Sequence, residues 1–373
     1  MIGGGQLSRM AHQASIGLGI GFSVLADTNN DSAAQVVESV FLGSHIDEAA
    51  IRAAAAHADV VTFDHEHVPL EILRRLEADG VTVWPSSDAL QYAQDKSLMR
   101  ARLADIGAPQ PRWSVVETVA DLEEFAAGQW PVVLKVSRGG YDGRGVWVCH
   151  TPAEAAAVMG HELAPGVVWL AEECVAFQRE LSAQIARSPQ GQIVAYPIVE
   201  TVQTNGMCAE VIAPAPHLDD ERALAAQQTA MNIAYELGVV GMLAVELFDT
   251  GTEILVNELA MRPHNSGHWT MDGAVTSQFE NHLRAVLDLP LGDPSSRAEW
   301  NVMVNVIGGD FPDMYAAYKH IMARDPGVKV HMYGKEVRVG RKIGHVNVAS
   351  ADLNDALRRA RHAAGYLTGT IEE

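Results

Sequence analysis

Cysteine is scarce in this 373-residue chain: Cys149, Cys174 and Cys208 are scattered, and no two have C-x-x-C spacing. That rules out a cysteine zinc site and suits reduced thiols. Long apolar runs are missing, so no stretch reaches bilayer-spanning length. No basic-then-apolar segment in it resembles a signal peptide, and no low-complexity tail is read from its composition. A cytoplasmic protein is expected. Basic residues are few, with 27 Lys and Arg against 47 Asp and Glu and a formal charge of −20. Such a surface repels nucleic-acid phosphate and anionic membranes. An anionic substrate must then be met by local basic clusters: Arg138 with Arg144, and Lys335, Arg338, Arg341 and Lys342. The plain alternative for each is solvated surface charge.

Apolar residues make up 48% of the chain, enough for the cores of two or three packed domains. The most informative stretch lies between Gly241 and Thr270. Gly-Met-Leu-Ala-Val-Glu246-Leu-Phe and Glu253-Ile-Leu-Val-Asn257-Glu258-Leu-Ala flank an Asp249-Thr-Gly251-Thr turn, which predicts two antiparallel strands. Glu246 and Glu258 fall within otherwise apolar runs, where a carboxylate is costly unless a cation meets it. With the Asn257 amide oxygen they make an all-oxygen set that suits Mg²⁺ carrying nucleotide phosphates. The other reading is that both carboxylates face solvent from a half-exposed hairpin. Arg262-Pro-His264-Asn265-Ser266-Gly267-His268-Trp269 follows directly, and so many convergent donors favour the site.

In chain order, residues 3–8 form a glycine turn opening a helix to about Leu18, and strands are expected at 22–27 and 60–63. This is the start of a doubly wound domain. Gly3-x-Gly5-x-x-Ser8 with Asp27 nearly meets the dinucleotide fingerprint, although Ser8 replaces the third glycine. Only Met1 and Ile2 precede the turn, so the first strand is very short or begins upstream. Asp64-His65-Glu66-His67 sits at the carboxyl edge of the sheet. Neighbouring side chains on an extended segment point opposite ways, so Glu66 reads better as an acceptor for a substrate amine or ribose than as part of a metal site.

One helix is expected over residues 88–104, with Lys96 and Arg100 on one face. The strand around Lys135 is buried, and a lone lysine there needs an anion. Residues 139–145 hold four glycines in seven positions, so that backbone N–H groups can approach phosphate and Arg144 can add a charged fork; a plain hairpin loop is the alternative. The strand at 168–175 leads into an extended segment suited to an adenine edge, with Glu172 or Glu180 for ribose. Helices are expected at 219–237 and 277–286. Short strands at 301–307, 328–332, 335–339 and 344–348 precede a helix at 353–364.

Together these pieces resemble the ATP-grasp ligases and, within them, the N5-carboxyaminoimidazole ribonucleotide synthetase family of purine biosynthesis. The likeness runs from Gly-Gly-Gln-Leu at the start to Gly340-Arg341-Lys342-Ile343-Gly344-His345 near the end. Its specific motifs are Gly139-Gly-Tyr-Asp-Gly-Arg-Gly145 and His264-Asn-Ser-Gly-His-Trp269. The resemblance implies an α/β and α+β chain with an ATP-grasp fold: a doubly wound, Rossmann-like domain at 1–92, an ATP-grasp domain at 93–290 with a lid at about 128–190, and a small β-rich domain at 296–373.

By the same resemblance, Lys96 and Lys135 contact ATP phosphates under the loop Gly139, Gly140, Tyr141, Asp142, Gly143, Arg144 and Gly145. Glu172, Glu173, Cys174, Val175 and Glu180 hold adenine and ribose. Glu246 and Glu258 bind Mg²⁺, with Mn²⁺ as the alternative, beside Asn257. Arg262, His264 and Asn265 receive bicarbonate, and Lys135 and Arg262 neutralise the transferring phosphoryl group. Glu66, Tyr141, Arg144, Lys335 and Arg341 hold aminoimidazole ribonucleotide. Gln203 stands where some members carry a histidine near the nucleotide. The resemblance also implies a homodimer.

The implied reaction is ATP-dependent carboxylation of aminoimidazole ribonucleotide through carboxyphosphate. Its nearest rival is an ATP-grasp ligase that activates formate on glycinamide ribonucleotide. A nicotinamide dehydrogenase leaves the carboxylate pair and the 139–145 loop without a role, and a non-catalytic nucleotide-binding regulator usually lacks metal carboxylates.

Overall fold

The structure, a computed structural model, describes residues 1–140, 144–204, 206–309 and 314–371. In the N-terminal part, β1 (Ser23–Ala26) pairs in parallel with β2 (Ser39–Leu42). Ile2 bridges in parallel to both Leu25 and Phe63, and Val61 bridges to Val83. The strand expected at 60–63 is thus reduced to single bridges, since Ile2 is its one partner on one side and Val83 on the other. The first helix, Gln6–Leu18, starts at the glycine turn as expected. A Cβ on Gly5 would lie 2.2 Å from Asp64 Oδ2, so only glycine fits there. Asp64 accepts from the backbone N–H of Gly5 and, at 3.3 Å, of Ser8. The anion seated on this helix N-terminus is the chain's own carboxylate, which argues against a dinucleotide pyrophosphate at this position.

A small antiparallel sheet follows, built from β3 (Trp113–Val116), β4 (Val132–Val136), β5 (Val146–Cys149) and β6 (Trp169–Glu173) in the order β3-β6-β4-β5. Helices Val119–Ala126 and Pro152–Met159 cover its core of Leu122, Leu134, Ala155 and Trp169. The large sheet contains β7 (Arg179–Arg187), β8 (Ile193–Ala195), β9 (Val199–Thr204), β10 (Met207–Ala213), β11 (Gly241–Asp249), β12 (Ile254–Ala260), β13 (Trp300–Ile307), β14 (Lys329–Met332) and β15 (Lys342–Ser350). Its order is β12-β11-β7-β9-β10-β13-β15-β14, with β8 on β7. The small sheet therefore occupies 113–173 rather than 128–190, because Arg179–Arg187 pairs along its whole length with β11.

Two further expectations are corrected. The helix expected at 88–104 is two helices, Ser87–Gln94 and Lys96–Asp105. Between them Asp95 is extended and caps the second, accepting from the N–H groups of Ser97 and Leu98, since an aspartate offers the backbone a competing acceptor. Residues 335–339 form no strand. Gly334 and Gly340 bracket them with φ of 67° and 77°, and those turns take the segment out of the ladder between β14 and β15.

β11 and β12 pair as the sequence suggests, with Glu246 opposite Glu258. A bulge follows: the next partners are Leu247 and Val256, which leaves Asn257 without a cross-strand partner. Val245 and Leu247 pack into the core with Ala226, Ala230 and Ile233, while Glu246 and Phe248 face the opposite way, as the two-residue period of a strand requires. The bulge lets the adjacent Asn257 and Glu258 both reach the cleft between the sheets.

Asp95 also meets Arg138 at 2.6 Å, but that arginine is half exposed, so the cap is the larger contribution. Asp95→Ala is expected to cost about 1–2 kcal/mol. Asp95→Asn, which keeps the cap and loses the charge, recovers most of it in thermal melts.

Candidate active site

A cleft of about 920 Å³ separates the small sheet from the β11–β12 edge of the large one. Val133, Val146 and Val148 line it from the small sheet, and Phe248 and Leu259 from the large. Phe177 stacks on Phe248 with ring centroids 4.7 Å apart and planes 9° from parallel. Glu173, Cys174 and Val175 run along the rim. Apolar walls beside an extended main chain suit a flat heterocycle with polar edges. Glu180 lies deeper and accepts a hydrogen bond from Gln203, and burial raises its pKa above the usual carboxylate range.

Beyond this slot the cleft is charged. Glu172 is buried, and both its oxygens are taken: Oε1 by Arg100 Nε at 2.7 Å and Oε2 by Lys135 Nζ at 2.7 Å. Burial opposes its charge, but Lys135 and Arg100 hold its pKa down at about 2. It therefore sits in an ion triad at the wall of the cleft. Arg100, fully buried, also donates to the carbonyls of Val256 at 2.7 Å and Asn257 at 2.9 Å. Lys135 reaches the Asn257 side chain at 3.2 Å, and burial lowers its pKa despite Glu172.

Lys96 pairs with Glu258. Burial alone would lower this ammonium, yet Glu258, Glu172 and Glu246 together raise it. Burial and then the charge of Glu258 push Glu246 up to about 7, while Glu258 stays below its ordinary value because Lys96, Lys135 and Arg100 together outweigh burial. Two cleft-lining carboxylates on paired strands, one driven toward protonation by burial and by the other, form an oxygen donor set that a hard dication would relieve. The residues present fit such an ion.

The segment after β12 adds the third group. Arg262 donates to Glu66 at 2.6 Å, and Glu66 also accepts from the N–H of Met261 at 3.2 Å. Both oxygens of Glu66 are thereby engaged in aiming the guanidinium. His264 Nε2 lies 3.4 Å from Glu246 Oε1. Burial, Arg262 and Lys342 lower this imidazole to about 3, so it is neutral. Asn265 forms a reciprocal amide pair with Asn305 at 3.0 and 2.7 Å.

Gly139 and Gly140 also line the cleft, whereas Arg144 is exposed and Gly145 closes the loop, its carbonyl accepting from Val136 N–H at 3.0 Å. Tyr141, Asp142 and Gly143 lie outside the described residues. Lys335, Arg338 and Arg341 face a second cavity of about 720 Å³, lined also by Gly3, Gly4 and Gly5. Asp64 and His65 line both cavities. Lys335 donates to Gln6 at 2.5 Å, Arg338 pairs with its neighbour Glu336, and Lys342 faces the first cavity instead. Sequence reasoning singled out neither Asn305 nor Gln6. Arg100 was seen only as a cation on a helix face, since nothing local foretells a partner 72 positions away.

The ion triad yields a pH-dependent prediction. The folded pKa of Glu172, about 2, lies below its ordinary 4.5, so its contribution of about 3 kcal/mol is fully present above pH 4.5 and is lost as pH falls toward 2. Glu172→Gln leaves two buried cations short of a counter-charge and is expected to cost about 3–5 kcal/mol at pH 7. In urea melts the gap from wild type narrows as pH drops through this window.

A "Ribonucleotide synthetase preATP-grasp domain" matches residues 1–94, an "ATP-grasp domain" residues 101–279, and a "Phosphoribosylaminoimidazole carboxylase C-terminal domain" residues 301–359. The N5-carboxyaminoimidazole ribonucleotide synthase of Mycobacterium tuberculosis is 54% identical, over 99% of this chain and 87% of its own length. The crystal structure of the synthetase from Thermus thermophilus superposes with a TM-score of 0.86 at 36% identity, covering 100% of this chain and 99% of its own. The synthase of Aspergillus clavatus, solved in complex with ADP and 5-aminoimidazole ribonucleotide, superposes with a TM-score of 0.88 at 30% identity, covering 99% and 98%. With such identity over nearly its whole length, the chain belongs to the N5-carboxyaminoimidazole ribonucleotide synthase family of ATP-grasp ligases.

Proposed function

We propose that this chain carboxylates the exocyclic amine of 5-aminoimidazole ribonucleotide, consuming ATP and bicarbonate and releasing ADP and phosphate, as a step of purine synthesis. The observation that carries the reading is one continuous cleft holding a base-sized apolar slot, a carboxylate pair and the Arg262–His264 group. Support also comes from the relatives, one of them solved with ADP and the ribonucleotide. In this reading the units are 1–92, 93–290 and 296–373, and the enzyme is a cytoplasmic homodimer. No helix among the described residues is long and apolar enough to cross a membrane.

The adenine lies between the valines of the small sheet and Phe248, with Glu180 toward ribose. Lys96, Lys135 and the 139–145 loop hold the phosphates. Glu246 and Glu258 would hold Mg²⁺, or Mn²⁺, whose charge when bound neutralises phosphate oxygens. Arg262, His264 and Asn265 place bicarbonate so that its oxygen attacks the γ-phosphorus in line and ADP departs. The carboxyphosphate so formed releases CO₂ beside the substrate amine, which adds to carbon and gives up a proton while phosphate leaves. Enclosure by the two sheets keeps water from that short-lived intermediate. Glu66, Tyr141, Arg144, Lys335 and Arg341 hold the ribonucleotide. The second cavity offers cations for its phosphate and joins the first at Asp64 and His65.

ADP release in bicarbonate buffer is expected to be strongly stimulated by aminoimidazole ribonucleotide. Equal rates with and without it, or stimulation by glycinamide ribonucleotide with formate instead, would overturn the assignment. Lys335→Ala and Arg341→Ala should each raise KM for the ribonucleotide by an amount worth about 1.5–3 kcal/mol, the usual size of a charge-assisted contact. KM for ATP should hardly move. Arg338→Ala should do less, because Arg338 is exposed and already paired with Glu336.

A further inference from the structure

Beneath the Arg262–Asn265 turn lies a buried polar network that touches no reactant in the scheme above. Ser266 is enclosed, as are Ser182 and Gln184 of β7 and Gln278 on the helix Gln278–Val286. Three groups converge on Ser266 Oγ, each at 2.8 Å: Ser182 Oγ, Gln184 Nε2 and His264 Nδ1. A hydroxyl has one proton and two lone pairs, so three partners saturate it. From the other side Gln278 grips the backbone of His264, accepting from its N–H at 2.9 Å and donating to its carbonyl at 2.7 Å.

Which ring nitrogen carries the proton is decided at the Nδ1 edge of the imidazole. The backbone N–H of Ser266 points at Nδ1 from 3.4 Å. A peptide N–H can only donate, so Nδ1 must present a lone pair. A neutral imidazole carries one ring proton, which therefore sits on Nε2, the nitrogen 3.4 Å from Glu246 at the far edge. We infer that His264 is locked as the Nε2–H tautomer, with Ser266 donating to Nδ1 and with Ser182 and Gln184 filling the Ser266 lone pairs, so that the ring serves the bound anion as a hydrogen-bond donor and not as a base. This rests on the proposed seating of bicarbonate at Arg262, His264 and Asn265. Ser266, Ser182, Gln184 and Gln278 are then positioning residues. A fixed N–H beside Arg262 favours negative charge on the carbonate oxygens without needing to reorganise, whereas a basic nitrogen there would repel it.

The test has a spectroscopic arm and a kinetic one. Long-range ¹H–¹⁵N spectra of the full-length protein labelled with [¹⁵N]histidine, with His264→Asn to assign the ring, are expected to show an unprotonated Nδ1 and a protonated Nε2. A protonated Nδ1 would overturn the inference. This spectrum needs no substrate, so its failure is distinct from a failure of ribonucleotide-stimulated ADP release. In kinetics, His264→Gln places an amide N–H near the Nε2 position but cannot take up a proton. Its kcat is expected within about ten-fold of wild type, with at least about a hundred-fold loss in His264→Asn, whose amide stops short. Equal loss in both folded variants would show that the ring acts as a base. Ser266→Ala is expected to lower kcat about ten-fold with KM for ATP within about two-fold, and an unchanged kcat would remove Ser266 from the positioning role.

Discussion

The buried carboxylate of Glu172 ties together the three elements that make the cleft. It sits on β6 of the small sheet, bonded to Lys135 of β4 and to Arg100 of the helix Lys96–Asp105. Arg100 continues to two carbonyls of β12, and Lys135 to the Asn257 amide. A charge this deep is tolerable only with its partners in place, so the triad holds the small sheet, the helix and the β12 edge in one relative position. The spacing of the cleft depends on that arrangement, and so does the direction in which the Lys135 ammonium points.

The second dependency is the bulge at Asn257. In a regular strand Asn257 and Glu258 would face opposite sides of the sheet. Their joint presentation, opposite Glu246, supplies a carboxylate pair with an amide alongside. Burial and the charge of Glu258 push Glu246 toward protonation while Lys96, with Lys135 and Arg100, keeps Glu258 ionised, an imbalance that leaves the site electrostatically incomplete without a cation. A chain of charge −20 thus concentrates its cations where phosphate chemistry needs them: Lys96, Lys135, Arg262 and Lys342 at one cavity, and Lys335, Arg338 and Arg341 at the other.

Much of this was legible beforehand because it is encoded locally. The hairpin of β11 and β12, the buried strand of Lys135, the glycine turn and the amphipathic helices all follow from alternation and turn residues within a few positions. The family motifs at 139–145 and 264–269 are equally local. Departures arose where a side chain competed with the backbone, as when Asp95 split one expected helix into two. Others arose where each neighbour offered a single residue to pair with, as at 60–63, or where glycine turns carried a segment out of the ladder, as at 335–339.

By itself the sequence determined which residues could do chemistry and which face of each strand they would share, since side-chain type and a period of two are properties of the chain alone. Tertiary structure decided what those residues do to one another. Glu172 became a strut because Arg100 and Lys135 arrive from 72 and 37 positions away. Glu66 came to aim Arg262 across 196 residues, and Asn265 to lock with Asn305 across 40. The proton on His264 was placed by the Ser266 N–H at the Nδ1 edge of the ring. Charge partners and tautomers depend on distances of about 3 Å, and only folding sets those distances for residues far apart in the chain.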